Sequence, residues 1–320
     1  MRVPAPMLAS PGTLPSASPI WAFEMKWDGQ RAIARCDEMG CRLWSRNLRE
    51  ATDYYPDLAA ALAEATQALG DGLLLDGEIV APDPATGAPS FGRLQRRMHA
   101  RPTSALLNEI RVEFVVFDVL AVDGVSTMDQ PYLARRTLLD RLAVERGRVR
   151  VPPFWTDFDP AHLMDAAEQA GLEGVIAKRT DSVYRPGTRS RAWIKAPIRR
   201  SAEGIVAAWI EGTGANAGTV GSLVLAGYDG PDLRYIGGVG TGFTGADRRA
   251  LRARLDEIAQ PISMMVGAPR SVMAIARTVE PIYVVDVEYR ELTVDGSLRH
   301  PSYRGLRPDR SALEIAVPTR

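Results

Sequence analysis

Lysine acts as a nucleophile only as the neutral amine, and one segment of this chain places a lysine where that form could arise. Glu24-Met25-Lys26-Trp27-Asp28-Gly29-Gln30-Arg31 follows an apolar stretch and turns at Asp-Gly. A free lysine keeps its proton up to about pH 10.4, so nucleophilic use needs burial or neighbouring cations. Gly29 would let backbone approach a bound group closely. Arg31 would offer a fork of donors to a hydroxyl or a phosphate. Alone, the segment reads more simply as a hairpin turn, for which Asp-Gly is a common choice.

Further segments, in a fixed order, change that reading. Ser45-Arg46-Asn47 closes a strand, and Leu75-Asp76-Gly77-Glu78 puts carboxylates inside an aliphatic run. Phe114-Val115-Val116-Phe117-Asp118 is an aliphatic–aromatic strand. Glu173-Gly174-Val175-Ile176-Ala177-Lys178 repeats the acidic–Gly–aliphatic pattern and ends in a lysine, and Trp193-Ile194-Lys195 follows. Carboxylates at the ends of apolar strands cost desolvation unless they are paired or bind a cation. Carboxylates, lysines and an aromatic face together suit a nucleotide with its metal: Mg²⁺ takes oxygen ligands and keeps substrate phosphates, and an aromatic ring can stack a base.

The elements that must position these groups alternate between strand and helix. Short aliphatic runs predict strands at 21–25, 32–36, 42–44, 73–80, 113–120, 174–178 and 192–195. Helical spacing predicts helices at 55–69, 91–98, 134–144 and 160–170. The first twenty residues, rich in proline, read as extended chain. Beyond Arg200 the texture becomes mainly β, with strands at 204–210, 220–228, 233–239 and 282–292 and one helix at 247–258. The expected fold is α+β in two domains: a mixed α/β domain over 1–200 and an OB-type β-barrel over 201–320. The GxG patterns at Gly212–Gly214 and Gly238–Gly242 lack the lysine and helix of a phosphate loop and read as barrel turns.

Composition bounds the rest. Lysine plus arginine and aspartate plus glutamate each number 39, so a uniform positive field is excluded as the means of holding nucleic acid, while local basic faces remain open. Two cysteines, Cys36 and Cys41, are too few for a disulfide scaffold, which favours a cytosolic compartment. No stretch approaches the roughly 20 apolar residues of a membrane span, and the N-terminus lacks the apolar core of a signal peptide. The expectation is a soluble, cytoplasmic monomer.

These motifs, in this order and over nearly the whole chain, resemble those of the covalent nucleotidyltransferases: DNA ligases, RNA ligases and mRNA capping enzymes. The run Arg299-His300-Pro301-Ser302-Tyr303-Arg304-Gly305-Leu306-Arg307-Pro308-Asp309-Arg310 resembles the last motif, on an OB domain. Connecting text such as PMLASPGTLP, SRNLREAT and RHPSYRGLRPD is similar to the ligase domain of bacterial end-joining DNA ligase D and its stand-alone relatives. The adenylation domain of that superfamily is ATP-grasp-like.

The resemblance implies an ATP-dependent DNA ligase in which Lys26 attacks the α-phosphorus of ATP. It places Glu24 beside the adenine, Arg31 and Glu78 at the ribose hydroxyls, Phe117 against the base, and Lys178 and Lys195 near the nucleotide. It puts Arg46, Arg189 and Arg191 on DNA, and a Mg²⁺ or Mn²⁺ ion on Glu173 with Asp28 and Glu78 helping. Arg307 and Asp309 would orient pyrophosphate, and a hinge near 201–203 would let the second domain approach and withdraw. Broken double-stranded DNA is the implied substrate, with end-joining proteins such as Ku as partners. The family usually has a second lysine two residues after Lys195, where this chain has Pro197; Lys178, Arg199 or Arg200 could substitute. It also usually ends Asp-Lys, where this chain has Asp309-Arg310.

Two basic helices are read apart from the site. Arg93, Arg96 and Arg97 share a helix face that either meets DNA or is solvated, and Arg248, Arg249, Arg252 and Arg254 read as a solvated face. The competing functions are a capping guanylyltransferase, an RNA ligase and a non-catalytic nucleic-acid binder. An NAD-dependent ligase is disfavoured because 25 residues precede Lys26, too few for a domain that recognises nicotinamide mononucleotide.

Overall fold

A computed structural model of the chain describes residues 2–69, 72–293 and 295–319. It divides into two compact units, Met1–Ile198 and Arg199–Arg320. The first begins with strands β1 (Leu8–Pro11), β2 (Trp21–Lys26), β3 (Gln30–Asp37) and β4 (Gly40–Ser45), then helix α1 (Pro56–Thr66) and strand β5 (Leu73–Val80). Helices α2 (Phe91–Arg97) and α3 (Ser104–Glu109) lead to β6 (Glu113–Val122), β7 (Val125–Ser126) and α4 (Tyr132–Leu142). Two short strands, β8 (Val149–Arg150) and β9 (Trp155–Thr156), precede α5 (Pro160–Gln169), β10 (Gly174–Arg179) and β11 (Arg189–Pro197).

These strands form two sheets, ordered β1-β11-β10-β2-β9 and β4-β3-β5-β6-β7, with β8 beside β6. The chain passes from one to the other across 27–29, between β2 and β3. Period-two alternation sorts the side chains. Phe23 and Met25 of β2 pack with Leu163 and Ala167 of α5, whereas Glu24 and Lys26 point the other way. On β3, Ala32, Ala34 and Cys36 join Leu58 and Leu62 of α1. Ile33 instead meets Met7, Leu74, Leu120 and Trp193, a cluster that ties the two sheets together. Full burial of a side chain the size of Phe23 stabilises by about 1.5–3 kcal/mol, so each outer helix is anchored by a few such residues. Helix α5 starts as its sequence dictates: Asp159 accepts from the Ala161 N–H at 2.9 Å, with Pro160 at the first helical position.

Three expectations change in this unit. The proline-rich N-terminus contains β1, parallel to β11 with Leu8 opposite Arg189. Pro11 is tolerated because β1 is an edge strand, where a missing N–H breaks no inner ladder. Cys36 and Cys41 face each other across the β3–β4 hairpin and are bonded as a disulfide. That pairing removes the cysteine count as an argument for a reducing compartment. Finally, α2 does not present a free basic face. Arg97 is buried and pairs with Asp57, Arg93 donates to the Glu109 carbonyl at 2.7 Å, and Arg96 pairs with the Glu109 carboxylate at 2.7 Å.

The second unit contains β12 (Arg200–Glu211), β13 (Val220–Asp229), β14 (Asp232–Val239), α6 (Gly245–Glu257), α7 (Arg270–Met273) and β15 (Ala276–Thr278). It ends with β16 (Val284–Tyr289), β17 (Glu291–Leu292), β18 (Leu298–Arg299) and β19 (Ser302–Leu306). The sheet order is β14-β13-β12-β16-β19, with β15 on β12 and a separate β17–β18 pair. Among the described residues no ladder closes this sheet into the expected barrel. After Val239 the chain turns away to α6, and the rims meet only at a Thr241–Ser302 bridge, where the Tyr303 N–H reaches the Thr241 carbonyl at 2.9 Å. Leu251 and Leu255 of α6 pack into the core with Val206, Trp209 and Val239. Arg248 is not solvated: it donates to the carbonyls of Val220 at 2.6 Å and Gly221 at 2.8 Å. The expected hinge at 201–203 falls inside β12, paired with β16, and the residues between the strands of the two units are 198–199, where the Ile198 N–H donates to the Glu173 carbonyl at 2.9 Å.

Candidate active site

One pocket of the first unit is lined from both sheets. Glu24, Met25, Lys26 and Trp27 come from β2 and its turn, Arg31 from β3, Arg46 from the end of β4, Glu78 from β5 and Phe117 from β6. Ile176, Lys178, Arg189, Trp193 and Lys195 come from β10 and β11, and Leu8 and Ala9 from β1. Nine residues predicted from sequence therefore converge: Glu24, Lys26, Arg31, Arg46, Glu78, Phe117, Lys178, Arg189 and Lys195. Arg191 lies instead in a neighbouring cleft with Trp21, Arg179 and Arg185. Arg307 and Asp309 belong to the second unit, where they pair with each other through two bonds of 2.9 and 2.7 Å.

Lys26 ends β2 opposite Gly174, and Glu173, just before β10, donates its N–H to the Lys26 carbonyl at 3.0 Å. The Glu173 carboxylate then accepts from the Lys26 ammonium. Only glycine fits at 174: its φ is +139°, and a Cβ would lie 2.3 Å from the Ala196 carbonyl oxygen. Gly29 is also required, but for packing. A Cβ there would come within 2.1 Å of the Ile79 carbonyl oxygen, so this glycine admits strand β5 and not a bound group.

Arg31 is held by the buried Asp76, with Nε at 2.5 Å and Nη2 at 2.6 Å from its two oxygens. The Tyr184 hydroxyl donates to the same carboxylate at 2.6 Å and accepts from the Met7 N–H at 2.9 Å. Arg31 thus spends two donor positions on the protein. Burial opposes its charge, but Asp76, then Tyr184 and Glu78, more than restore it. The Phe117 ring, expected to stack a base, carries the Arg31 guanidinium and the Lys178 ammonium, each 4.5 Å from its centroid.

Near Lys26, Glu78 feels the charge of two further carboxyl groups, Glu173 and Asp28. Desolvation, opposed by Arg31 and Lys26 and reinforced by Glu173 and Asp28, pushes Glu78 up to about 8. Carboxylates crowded in this way suit a cation, but among the described residues no three of them form a coordinating cluster. A Mg²⁺ beside Glu173, Asp28 and Glu78 would therefore take part of its coordination from phosphates and water. At Lys195, burial and then the Lys26 charge push the amine below the usual lysine range, with Arg189 and Arg46 adding to the effect. Lys178, a suggested substitute for the missing second lysine, is engaged within the pocket instead: its Nζ is buried and sits 2.6 Å from Glu24. Arg46 and Arg189 are the additional pocket cations.

A lysine at a strand end, paired with a carboxylate and flanked by further cations and an aromatic, acid-bearing recess, is an arrangement suited to nucleotidyl transfer. The family described as "ATP dependent DNA ligase domain" matches residues 6–196, and "ATP dependent DNA ligase C terminal region" matches 216–310. The chain belongs to the ATP-dependent DNA ligase family. The multifunctional non-homologous end joining protein LigD of Mycolicibacterium smegmatis is 40% identical over 314 residues, which is 97% of this chain and 39% of that protein. The ligase domain of M. tuberculosis LigD aligns over 98% of both chains with a TM-score of 0.57 and 36% identity. A mycobacterial DNA ligase D complexed with ATP and MES aligns over the same shares with a TM-score of 0.56 and 36% identity. The chain spans about two fifths of the length of the curated LigD proteins it matches.

Proposed function

We propose that this chain seals breaks in double-stranded DNA with ATP, through AMP carried on Lys26. The observation that carries this reading is the juxtaposition of the Lys26 amine with Glu173 in a pocket whose remaining groups divide in two. Lys195, Arg46 and Arg189 form a cationic group beside Lys26, suited to phosphates. Glu24, Phe117, Lys178 and Trp193 form an aromatic, acid-bearing group suited to a purine.

In the first step Lys26, after giving its ammonium proton to solvent, attacks the α-phosphorus of ATP as the neutral amine, the bond to pyrophosphate breaks, and the remaining excess N–H proton passes to solvent. In the second, an oxygen of the DNA 5′-phosphate attacks the same phosphorus, and Lys26 leaves as the amine. In the third, the 3′-hydroxyl attacks the 5′-phosphate and AMP departs. Arg31 and Glu78 hold the ribose, and Arg31 is kept in place by Asp76. Glu173, with Glu78 and Asp28 near it, would hold Mg²⁺ or Mn²⁺, which supplies charge neutralisation at the phosphates. Arg307 and Asp309 act on the departing pyrophosphate. Arg46, Arg189 and Arg191 contact DNA.

The name of the LigD relatives, non-homologous end joining, supports an end-joining role; a Ku-type partner and a cytoplasmic location belong to that proposed role, and a monomer suffices for the chemistry. The test is sealing of a labelled nicked duplex by the full chain with ATP and Mg²⁺ or Mn²⁺. Repeated turnover that depends on both ATP and metal supports the proposal, and sealing of more than one nick per protein molecule without ATP contradicts it.

A further inference from the structure

Glu24 is a carboxylate buried to 4% exposure, two residues before Lys26 on the same face of β2. Burial of such a group is costly unless both oxygens are satisfied. One oxygen accepts from the Tyr132 hydroxyl. The other faces Lys178 Nζ at 2.6 Å. The ammonium itself sits 4.4 Å from the Trp193 ring, 4.5 Å from Phe117 and 5.0 Å from Tyr132. The carboxylate is therefore pinned from two sides at the aromatic end of the pocket.

Tyr132 is itself rigidly placed. It is the first residue of α4, and its N–H donates to the Ser182 carbonyl at 2.8 Å. One turn on, the buried Arg135 makes a two-pronged pair with Asp118 at 2.8 Å, on the strand that carries Phe117. Burial, then the Glu24 charge, holds the Tyr132 hydroxyl well above its usual range, so it stays a neutral donor. An ionised carboxylate can only accept. Each Glu24 oxygen, after its fixed bond, keeps acceptor capacity for a donor entering the pocket. A 6-amino purine presents such a donor, and a 6-oxo purine presents an acceptor that meets the negative charge.

We propose that Tyr132, together with Lys178, positions the Glu24 carboxylate to read the 6-substituent of the purine and so sets selection of ATP over 6-oxo nucleoside triphosphates. This rests on the pocket being the site of nucleotide transfer to Lys26. Tyr132 is a positioning residue that works through Glu24. Loss of one hydrogen bond to a charged acceptor corresponds to roughly a 10- to 100-fold effect.

The experiment measures labelling of the full chain by α-labelled ATP, ITP and GTP, with kcat and KM for each, in the wild type, Tyr132→Phe and Lys178→Met. Wild type is expected to prefer ATP. Tyr132→Phe should lower the ATP:ITP ratio of kcat/KM by about 10- to 100-fold, mainly through KM for ATP. Lys178→Met, which keeps length and ring contacts, should lower the ratio in the same direction. Should Tyr132→Phe fail to fold, the Lys178→Met ratio decides. Proportional losses with all three nucleotides, or an unchanged ratio, overturn the inference. No label from ATP on the wild type overturns the functional reading beneath it instead.

Discussion

Asp76 connects stability to the site, because the residue that aligns Arg31 is itself buried among apolar strands. Asp76→Asn removes the charge that accepts from Arg31 Nε, Arg31 Nη2 and the Tyr184 hydroxyl. An asparagine amide would also turn donors toward donors. Breaking a buried pair by removing one partner costs about 3–5 kcal/mol. The Arg31 side chain is 18% exposed and can recover some hydration, which places the loss near the lower end, about 3 kcal/mol. For a unit of this size each kcal/mol moves the midpoint by about 2–4 °C, so the first unit should melt about 6–12 °C earlier. Two units need not melt together, so the relevant transition is the one that ATP shifts upward in the wild type. Calorimetry with and without ATP provides both readings: a lower midpoint and a smaller shift by ATP in the variant. A midpoint within about 2 °C of wild type, with the ATP shift intact, would show that Arg31 does not depend on Asp76.

Three further outcomes follow from the same geometry. Glu173→Ala should slow metal-dependent labelling of Lys26 by at least about 10²-fold, with Glu173→Asp retaining more; wild-type rates across a Mg²⁺ titration would remove Glu173 from the metal site. Glu78, with its pKa raised from 4.5 to about 8, favours the protonated folded form, so its contribution to stability falls as pH rises through that interval. Glu78→Gln should flatten this segment of the stability–pH curve, and an unchanged curve from urea melts would contradict the burial argument. Glu203 accepts from Arg307 at 2.7 Å and from Arg310 at 3.0 Å. These pairs hold Arg307 within the second unit; on the role proposed for it at the departing pyrophosphate, Arg307→Ala should slow labelling by ATP far more than sealing of a pre-adenylylated nick, whereas equal losses in the two assays would assign Arg307 to folding or DNA.

Much of the site was legible because its residues lie on strands whose period is two and whose ends carry the chemistry. The alternation along Phe23, Glu24, Met25 and Lys26 puts the two charged side chains in the pocket and packs Phe23 and part of Met25 against the core. Strand Leu73–Val80 was read to the residue, since its aliphatic run has Asp76 and Glu78 as the only charged interruptions. The supports were not legible. Tyr132 lies 108 residues from Glu24 and Tyr184 the same distance from Asp76, so no local pattern announces either bond. The basic face of α2 misled for the same reason: Asp57, its partner, lies 40 residues away on α1. The N-terminal strand was hidden by its prolines, which an edge position tolerates. Barrel closure depends on where β14 ends, and composition carries no signal for that.

The central claim is that Lys26 carries the nucleotide. The full chain, incubated with α-labelled ATP and a divalent metal, should take up label stable to alkali and labile to acid, as a phosphoramidate is. Peptide mapping should place it on Lys26, and both Lys26→Ala and Lys26→Arg should take none, because a guanidinium stays protonated. Label retained by either variant, or mapped to another lysine of the pocket such as Lys178 or Lys195, would contradict the account.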